Sequence, residues 1–168
     1  MSALSNLEPS EIRRMEKTDL ASVLEIERAC YSFPWSESVF NDCLSANYDC
    51  LIIGKKMDIA GYCIVATAVG ESHILNVCIG PAYQKQGCGT ELVRYVLEKA
   101  IQNRIETIFL EVRVSNMSAI RLYSKLGFRK VGVRRNYYPA GSCREDALVY
   151  SINLTNQFFN EGNLNLYI

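Results

Sequence analysis

The chain has 168 residues, enough for one domain that buries roughly 70% of its unfolded surface and needs no covalent staple. With 49% hydrophobic and 21% charged residues it has an ordinary globular composition. Lys plus Arg balance Asp plus Glu at 18 each, whereas a general nucleic-acid or membrane-surface binder would carry a basic excess, so neither partner is expected.

Residues 1–10 read as a loose leader, with no basic stretch followed by an apolar run and therefore no signal peptide. Glu11 to Met15 suits a short strand. Thr18 is placed to cap a helix that carries Leu20, Val23 and Leu24 and runs to about Tyr31. Pro34 breaks that pattern, because proline disfavours helix at the residue before it. Ser36 then caps a second helix with Val39, Phe40, Cys43 and Leu44 on one side.

Three successive strands are expected at Asp49–Lys55, Ile59–Ala68 and Ser72–Ile79, with turns at Lys56-Met57-Asp58 and Val69-Gly70-Glu71. Gly87 to Asn103 is the clearest helix, with Leu92, Val93, Val96, Leu97, Ala100 and Ile101 as its apolar stripe and Arg94 and Glu98 placed to pair opposite. Thr107 to Val114 alternates strictly, setting Ile108, Leu110, Val112 and Val114 on one face and Thr107, Phe109, Glu111 and Arg113 on the other. Ser115 or Asn116 caps a helix to Leu126, and Gly127 is its left-handed stop. Phe128–Arg135 and Asp146–Ile152 read as closing strands around an irregular Tyr137–Arg144 loop. The domain therefore spans residues 11–153, and residues 154–168 form a polar, partly disordered tail. The element order is β-αα-βββ-α-β-α-ββ, an α+β domain with helices covering a twisted sheet.

Seven cysteines (30, 43, 50, 63, 78, 88 and 143) are scattered without a CxxC pair, so neither a zinc site nor a redox motif is offered, and no metal is expected. Most sit in apolar runs, where the thiol serves as a small hydrophobe, and reduced thiols point to a cytoplasmic setting. His73 belongs to no visible triad.

The segment Gln84-Lys85-Gln86-Gly87-Cys88-Gly89 separates a strand from the strongest helix. Glycines let the main chain approach a ligand, and the helix N-terminus beyond offers unpaired N–H groups, an arrangement that suits a pyrophosphate. An ordinary glycine-rich helix cap fits the same letters. No Gly-Lys-Ser/Thr follows, which excludes a P-loop, and the third glycine of a dinucleotide fingerprint is missing.

Asn76-Val77-Cys78-Ile79 with Pro81, then Gln-x-x-Gly-x-Gly and an amphipathic helix, resembles the acyl-CoA site of the GNAT acetyltransferases. The resemblance continues through Leu110-Glu111-Val112-Arg113, Ser115-Asn116, Ala119–Tyr123 and Leu126-Gly127-Phe128. The flanking Phe33-Pro34-Trp35-Ser36, Arg135–Pro139 and Arg144–Ala147 are similar to the bacterial ribosomal-protein-alanine N-acetyltransferases. The matches span roughly residues 11 to 152. They imply a GNAT fold, a mostly antiparallel twisted sheet with helices on both faces and a splayed central strand pair. They also imply acetyl-CoA as co-substrate and the N-terminal alanine of a small-subunit ribosomal protein as acceptor. A lysine side chain or small amine as acceptor, and a non-catalytic acyl-CoA sensor, are the alternatives.

By that resemblance, main-chain groups of Val77, Cys78 and Ile79 hold the pantetheine arm, the loop Lys85, Gln86, Gly87, Cys88, Gly89 and Thr90 holds the pyrophosphate, and Asn116 contacts the cofactor. Glu111 resembles the general base, acting through water, and burial in an apolar strand would raise its pKa toward neutrality. A free α-amine has a pKa near 8 against about 10.4 for lysine, so an N-terminus asks less of its base. Tyr123 resembles the general acid that protonates the leaving thiolate. Phe33, Trp35, Tyr137 and Tyr138 flank the acceptor entrance. Read from pattern alone, Glu111 is also an ion-paired strand residue, Tyr123 a core tyrosine and the aromatics a local plug. Glu145 and Asp146 either attract a basic target or pair with neighbouring arginines.

Overall fold

The computed structural model describes residues 10–55 and 58–157. Its strands are β1 (Glu11–Arg14), β2 (Asp49–Lys55), β3 (Asp58–Ala68), β4 (Glu71–Ile79), β5 (Thr107–Arg113), β6 (Arg129–Ala140) and β7 (Cys143–Asn153). Its helices are α1 (Leu20–Cys30), α2 (Glu37–Ser45), α3 (Cys88–Gln102) and α4 (Met117–Lys125). One sheet collects the strands in the order β1-β2-β3-β4-β5-β7-β6. Every neighbouring pair is antiparallel except β4 and β5, which run parallel.

Helices cover both faces, and each face has its own core. Leu92, Val93, Val96 and Leu97 of α3 pack on Leu51, Ile53, Cys63 and Val65, together with Ile108, Leu110 and Phe128. Val23 and Leu24 of α1 and Phe40 of α2 pack on Cys50, Ile52, Tyr62 and Ile64 from the other side. Strands β2 and β3 are thus buried on both faces, which explains their continuous apolar runs. All seven cysteines are free, and five of them are buried as apolar filler.

The N-terminal helix starts differently from the sequence expectation. Thr18 is not its cap. Residues Lys17–Asp19 form a 3-10 turn, the Glu16 N–H donates to Asp19 Oδ2 at 2.7 Å, and Arg13 grips both Asp19 oxygens at 2.8 Å. The bonded guanidinium holds the Asp19 carboxyl below its usual range. Arg94 and Glu98 do not form the expected ion pair: Arg94 Nε is buried without a partner.

The irregular loop expected at Tyr137–Arg144 is instead the far half of a long hairpin, turned at Gly141 with φ +60°. The irregularity lies inside the ladder, where the register jumps between Arg134↔Ala147 and Tyr138↔Glu145 and Asn136 adopts φ +51°. This bulge breaks the alternation that would have shown a strand, and Pro139 is tolerated because β6 is the edge strand. Leu154, expected in the tail, is 2% exposed and packs in the core, followed by a 3-10 turn at Thr155–Gln157. The tail from 158, the leader before Ser10 and residues 56 and 57 of the first expected turn lie outside the described residues.

What matters for a site is where β4 and β5 stop touching. They pair from Glu71↔Thr107 to Ile74↔Leu110 only. Beyond that point β4 stays with β3 as far as Ile79, and β5 stays with β7 as far as Arg113. The β3–β4 register also shifts there, from Val65↔Ile74 to Ile64↔Asn76, so Leu75 is an extra, bulged residue. A bulge at the point of parting turns the main chain of Leu75–Ile79 toward an open gap.

Candidate active site

The gap leads to the start of α3. Lys85 (φ +59°) and Gly87 (φ +88°) are both left-handed, which turns successive N–H groups toward one side, as in an anion nest. Glu91 is the first residue of α3 whose N–H bonds within the helix region, to Gly87 O at 3.0 Å, so the amides of the first turn remain free to face a ligand. At Gly89 a Cβ would stand 3.1 Å from Leu122 Cδ1, so glycine lets α4 close against α3.

A cleft of about 620 Å³ runs along this surface, lined by Val77, Cys78 and Ile79 on β4 and by Lys85, Gly87, Gly89 and Thr90 at the α3 end. Asn116 and Tyr123 of the α4 segment close it. Two residues of the expected set do not line it. Gln86 donates through Nε2 to Ala82 O at 2.8 Å, and Cys88 is buried in the core. Asn116 also caps α4, its Oδ1 accepting from Ala119 N–H at 3.1 Å.

A second cavity of about 240 Å³ lies beyond the parted strands, lined by Phe33, Trp35, Leu75, Glu111 and Tyr138 among others. Tyr31, Val77, Asn116, Ala119 and Tyr123 belong to both linings, so the two spaces meet at Val77, just past the Leu75 bulge, with Tyr123 between them. Tyr123 is 8% exposed and stands edge-on to Phe128 at 5.8 Å. Burial pushes its phenol well above the ordinary tyrosine value. Tyr138 is pushed up to about 12, by burial first and then by the nearby Glu111 carboxylate. Both phenols therefore hold their protons at neutral pH.

Glu111 is not desolvated in the way an apolar strand suggests. Its side chain is 29% exposed, and Oε1 lies 2.9 Å from Arg134 Nε. The Tyr137 hydroxyl donates to Oε2 at 3.3 Å. Tyr137 does not line the cavity; it bears on Glu111 instead. Its ring meets Tyr138 edge-on at 4.9 Å, and the Arg113 guanidinium covers Tyr138 at 4.4 Å. The β6 bulge makes this possible: Arg144 bonds the carbonyls of Asn136 and Tyr137 at 2.6 Å each.

Glu145 and Asp146 are spent internally. Glu145 accepts from Ser115 N–H at 2.7 Å and from Arg113 at 3.2 Å, and those bonds, Ser115 first, hold its carboxyl below the usual range. Asp146 accepts from the Asn136 N–H at 2.8 Å. His73 stacks on Phe109 at 5.3 Å, away from both cavities. Among the described residues no group of three or more His, Cys, Asp and Glu side chains gathers as a metal site would require, and no helix is long and apolar enough to cross a membrane.

Glu27, Tyr31 and Asn76, to which the sequence assigns no individual role, also line the second cavity. A signal existed for the first: Glu27 continues the buried stripe of Leu20, Val23 and Leu24 on α1, where a carboxylate is out of place.

Residues 20–128 match the acetyltransferase (GNAT) family. The ribosomal protein bS18-alanine N-acetyltransferase of Escherichia coli K12 is 35% identical over 141 residues, covering 84% of this chain and 95% of that protein. The enzyme of the same name from Haemophilus influenzae is 36% identical over 141 residues, covering 83% and 96%. The crystal structure of the Escherichia coli ribosomal-protein-S18-alanine N-acetyltransferase superimposes with a TM-score of 0.83 at 32% identity, covering 95% of this chain and all of that one.

Proposed function

The chain belongs to the acetyltransferase (GNAT) family, and we propose that it moves the acetyl group of acetyl-CoA to the N-terminal α-amine of an alanine-started ribosomal protein in the cytoplasm. The observation that carries this reading is the parting of β4 and β5 at the Leu75 bulge, with a carboxylate and a protonated phenol on the walls of the space it opens. The identity to the bS18-alanine enzymes over nearly their full length supports the acceptor.

The residues present suit a coenzyme A ester. The left-handed Lys85 and Gly87 and the first turn of α3 offer amides to a diphosphate, and the main chain from Leu75 to Ile79 offers a strand edge to amide groups of the arm. Bound there, acetyl-CoA supplies an activated thioester. A main-chain N–H near Leu75 would polarise its carbonyl, a kind of donor that contributes about 3 kcal/mol in comparable sites. The acceptor amine enters past Phe33, Trp35 and Tyr138. About a tenth of free α-amines are already neutral at pH 7, so Glu111, acting through water, needs only to remove the remaining proton. Its contacts with Arg134 and Tyr137 fix the carboxylate at the rim of the cavity that it lines. The neutral amine would attack the thioester carbon, its N–C bond forming as the C–S bond breaks; Glu111 would take the amine's proton through water and Tyr123 would give one to the departing thiolate.

A panel of acceptors at fixed acetyl-CoA tests the reading: an alanine-started peptide, the same peptide Nα-blocked with an internal lysine, and a small diamine. The alanine peptide is expected to be the best substrate, and Glu111→Gln is expected to cut kcat/KM by about 10²–10⁴ at pH 7, with the deficit narrowing above pH 8 as the amine deprotonates unaided. Preference for the ε-amine, or an unchanged Glu111→Gln enzyme, removes the assignment.

A further inference from the structure

Glu27 sits on the buried stripe of α1 and is 1% exposed. A carboxylate in such a place is strongly unfavourable unless its oxygens are satisfied. None of the ion pairs among the described residues includes it. Its partners are neutral donors instead: the Trp35 main-chain N–H at 2.7 Å from Oε1, and on Oε2 the Tyr62 hydroxyl and the Asn76 side-chain amide, the latter at 3.4 Å.

These three donors come from three separate pieces of the fold. Trp35 lies in the connection between α1 and α2, Tyr62 in the centre of β3, and Asn76 on β4 directly after the bulged Leu75. The same carboxylate lines the smaller cavity beside Trp35 and Asn76. An aromatic relay runs parallel to it, Trp35 to Phe40 at 5.5 Å and Phe40 to Tyr62 at 5.4 Å. An apolar residue would fill the stripe at less cost, so what the carboxylate adds is a fixed distance between the aromatic loop and the bulge.

We propose that Glu27 is a positioning residue for acceptor specificity: it locks the Phe33-Pro34-Trp35 loop to the bulged segment of β4, and so sets the width of the entrance through which the amine reaches the thioester. This rests on the reading of the smaller cavity as the acceptor side. Glu27 touches neither reacting atom in this role; it acts through Trp35 and Asn76.

Glu27→Gln tests it. Glutamine keeps the shape and one acceptor oxygen, but its amide cannot accept from Tyr62 or Asn76. Losing hydrogen bonds to a charged acceptor is expected to raise KM for an alanine-started peptide by about 10–100-fold while KM for acetyl-CoA stays within about twofold. Trp35 is the only tryptophan, so acrylamide quenching of its fluorescence reads the loop directly without any turnover and is expected to rise at least about threefold. Tyr62→Phe, which keeps the carboxylate and loses one donor, should shift both readouts in the same direction by less, and serves if Glu27→Gln folds poorly. Unchanged quenching together with an unchanged peptide KM overturns the proposal, as does an equal rise in both KM values. If the wild type acetylates no peptide, the functional reading has failed, and the quenching result alone decides the positioning claim.

Discussion

Replacing Tyr123 by Phe removes one oxygen from the place where the two cavities meet, and the structure separates its effects on folding and on chemistry. The ring stays edge-on to Phe128 and its hydroxyl makes no hydrogen bond to the described residues, so folding loses little. The change in stability is expected within about 1 kcal/mol, or roughly 2–4 °C in Tm for a chain of this size. The kinetic loss is expected to be far larger. A positioned proton donor contributes about 10²–10⁴-fold, which corresponds to roughly 2.7–5.4 kcal/mol in the barrier. Burial keeps the phenol protonated well past its ordinary range, so the wild-type kcat should show no loss of the acid form between pH 7 and 9. The assay should follow acetylated peptide by mass spectrometry, because the exposed Cys143 would react with reagents used to count released thiol. A Tyr123→Phe enzyme with kcat within threefold of wild type refutes the proton-donor role. A drop of more than 10 °C in Tm would show that the residue is chiefly a core tyrosine.

Alanine disfavours φ +88° by about 1–2 kcal/mol, so in Gly87→Ala the free turn is expected to relax and binding must restore it, raising the Kd for coenzyme A measured by calorimetry by about 5–30-fold; an unchanged Kd would separate the α3 turn from ligand binding. The Asp19 carboxyl is held below its unfolded value, so its stabilising contribution is fully present above about pH 4 and is lost as pH falls through the lower folded value. The Tm gap between wild type and Asp19→Asn should accordingly narrow from pH 6 to pH 2, and a constant gap would show that the charge is immaterial.

Legibility in the sequence followed the regularity of each segment. The α3 stripe and the β5 alternation are periodic over whole elements, and both elements lie within a residue or two of where the pattern puts them. The hairpin end of β6 escaped because its bulge sets Arg135, Asn136 and Tyr137 opposite the single residue Asp146, and no period survives that. Thr18 looked like a cap because capping residues are judged by neighbours in sequence, whereas Asp19 is recruited by Arg13 from β1.

The site divided along the same line. The α3 turn is read from adjacent glycines and lines the cleft, apart from Gln86 and Cys88, whose side chains turn to other partners. Glu111 was found through motif resemblance, but its partners Arg134 and Tyr137 arrive from two strands away across the sheet, a distance that no local pattern encodes. Glu27 had a local signal, a carboxylate in an apolar stripe, while its donors at positions 35, 62 and 76 had none.

Only four register positions, Glu71–Ile74 against Thr107–Leu110, stitch the first four strands of the sheet to the last three. A molecule seated in the opening above that seam fastens both halves at once. At a hundred times its dissociation constant it would add about 2.7 kcal/mol to the folded state, on the scale of the penalty for truncating a buried leucine. A ligand held there at saturation would therefore offset, in the folded state, a core substitution whose full cost the empty protein would bear.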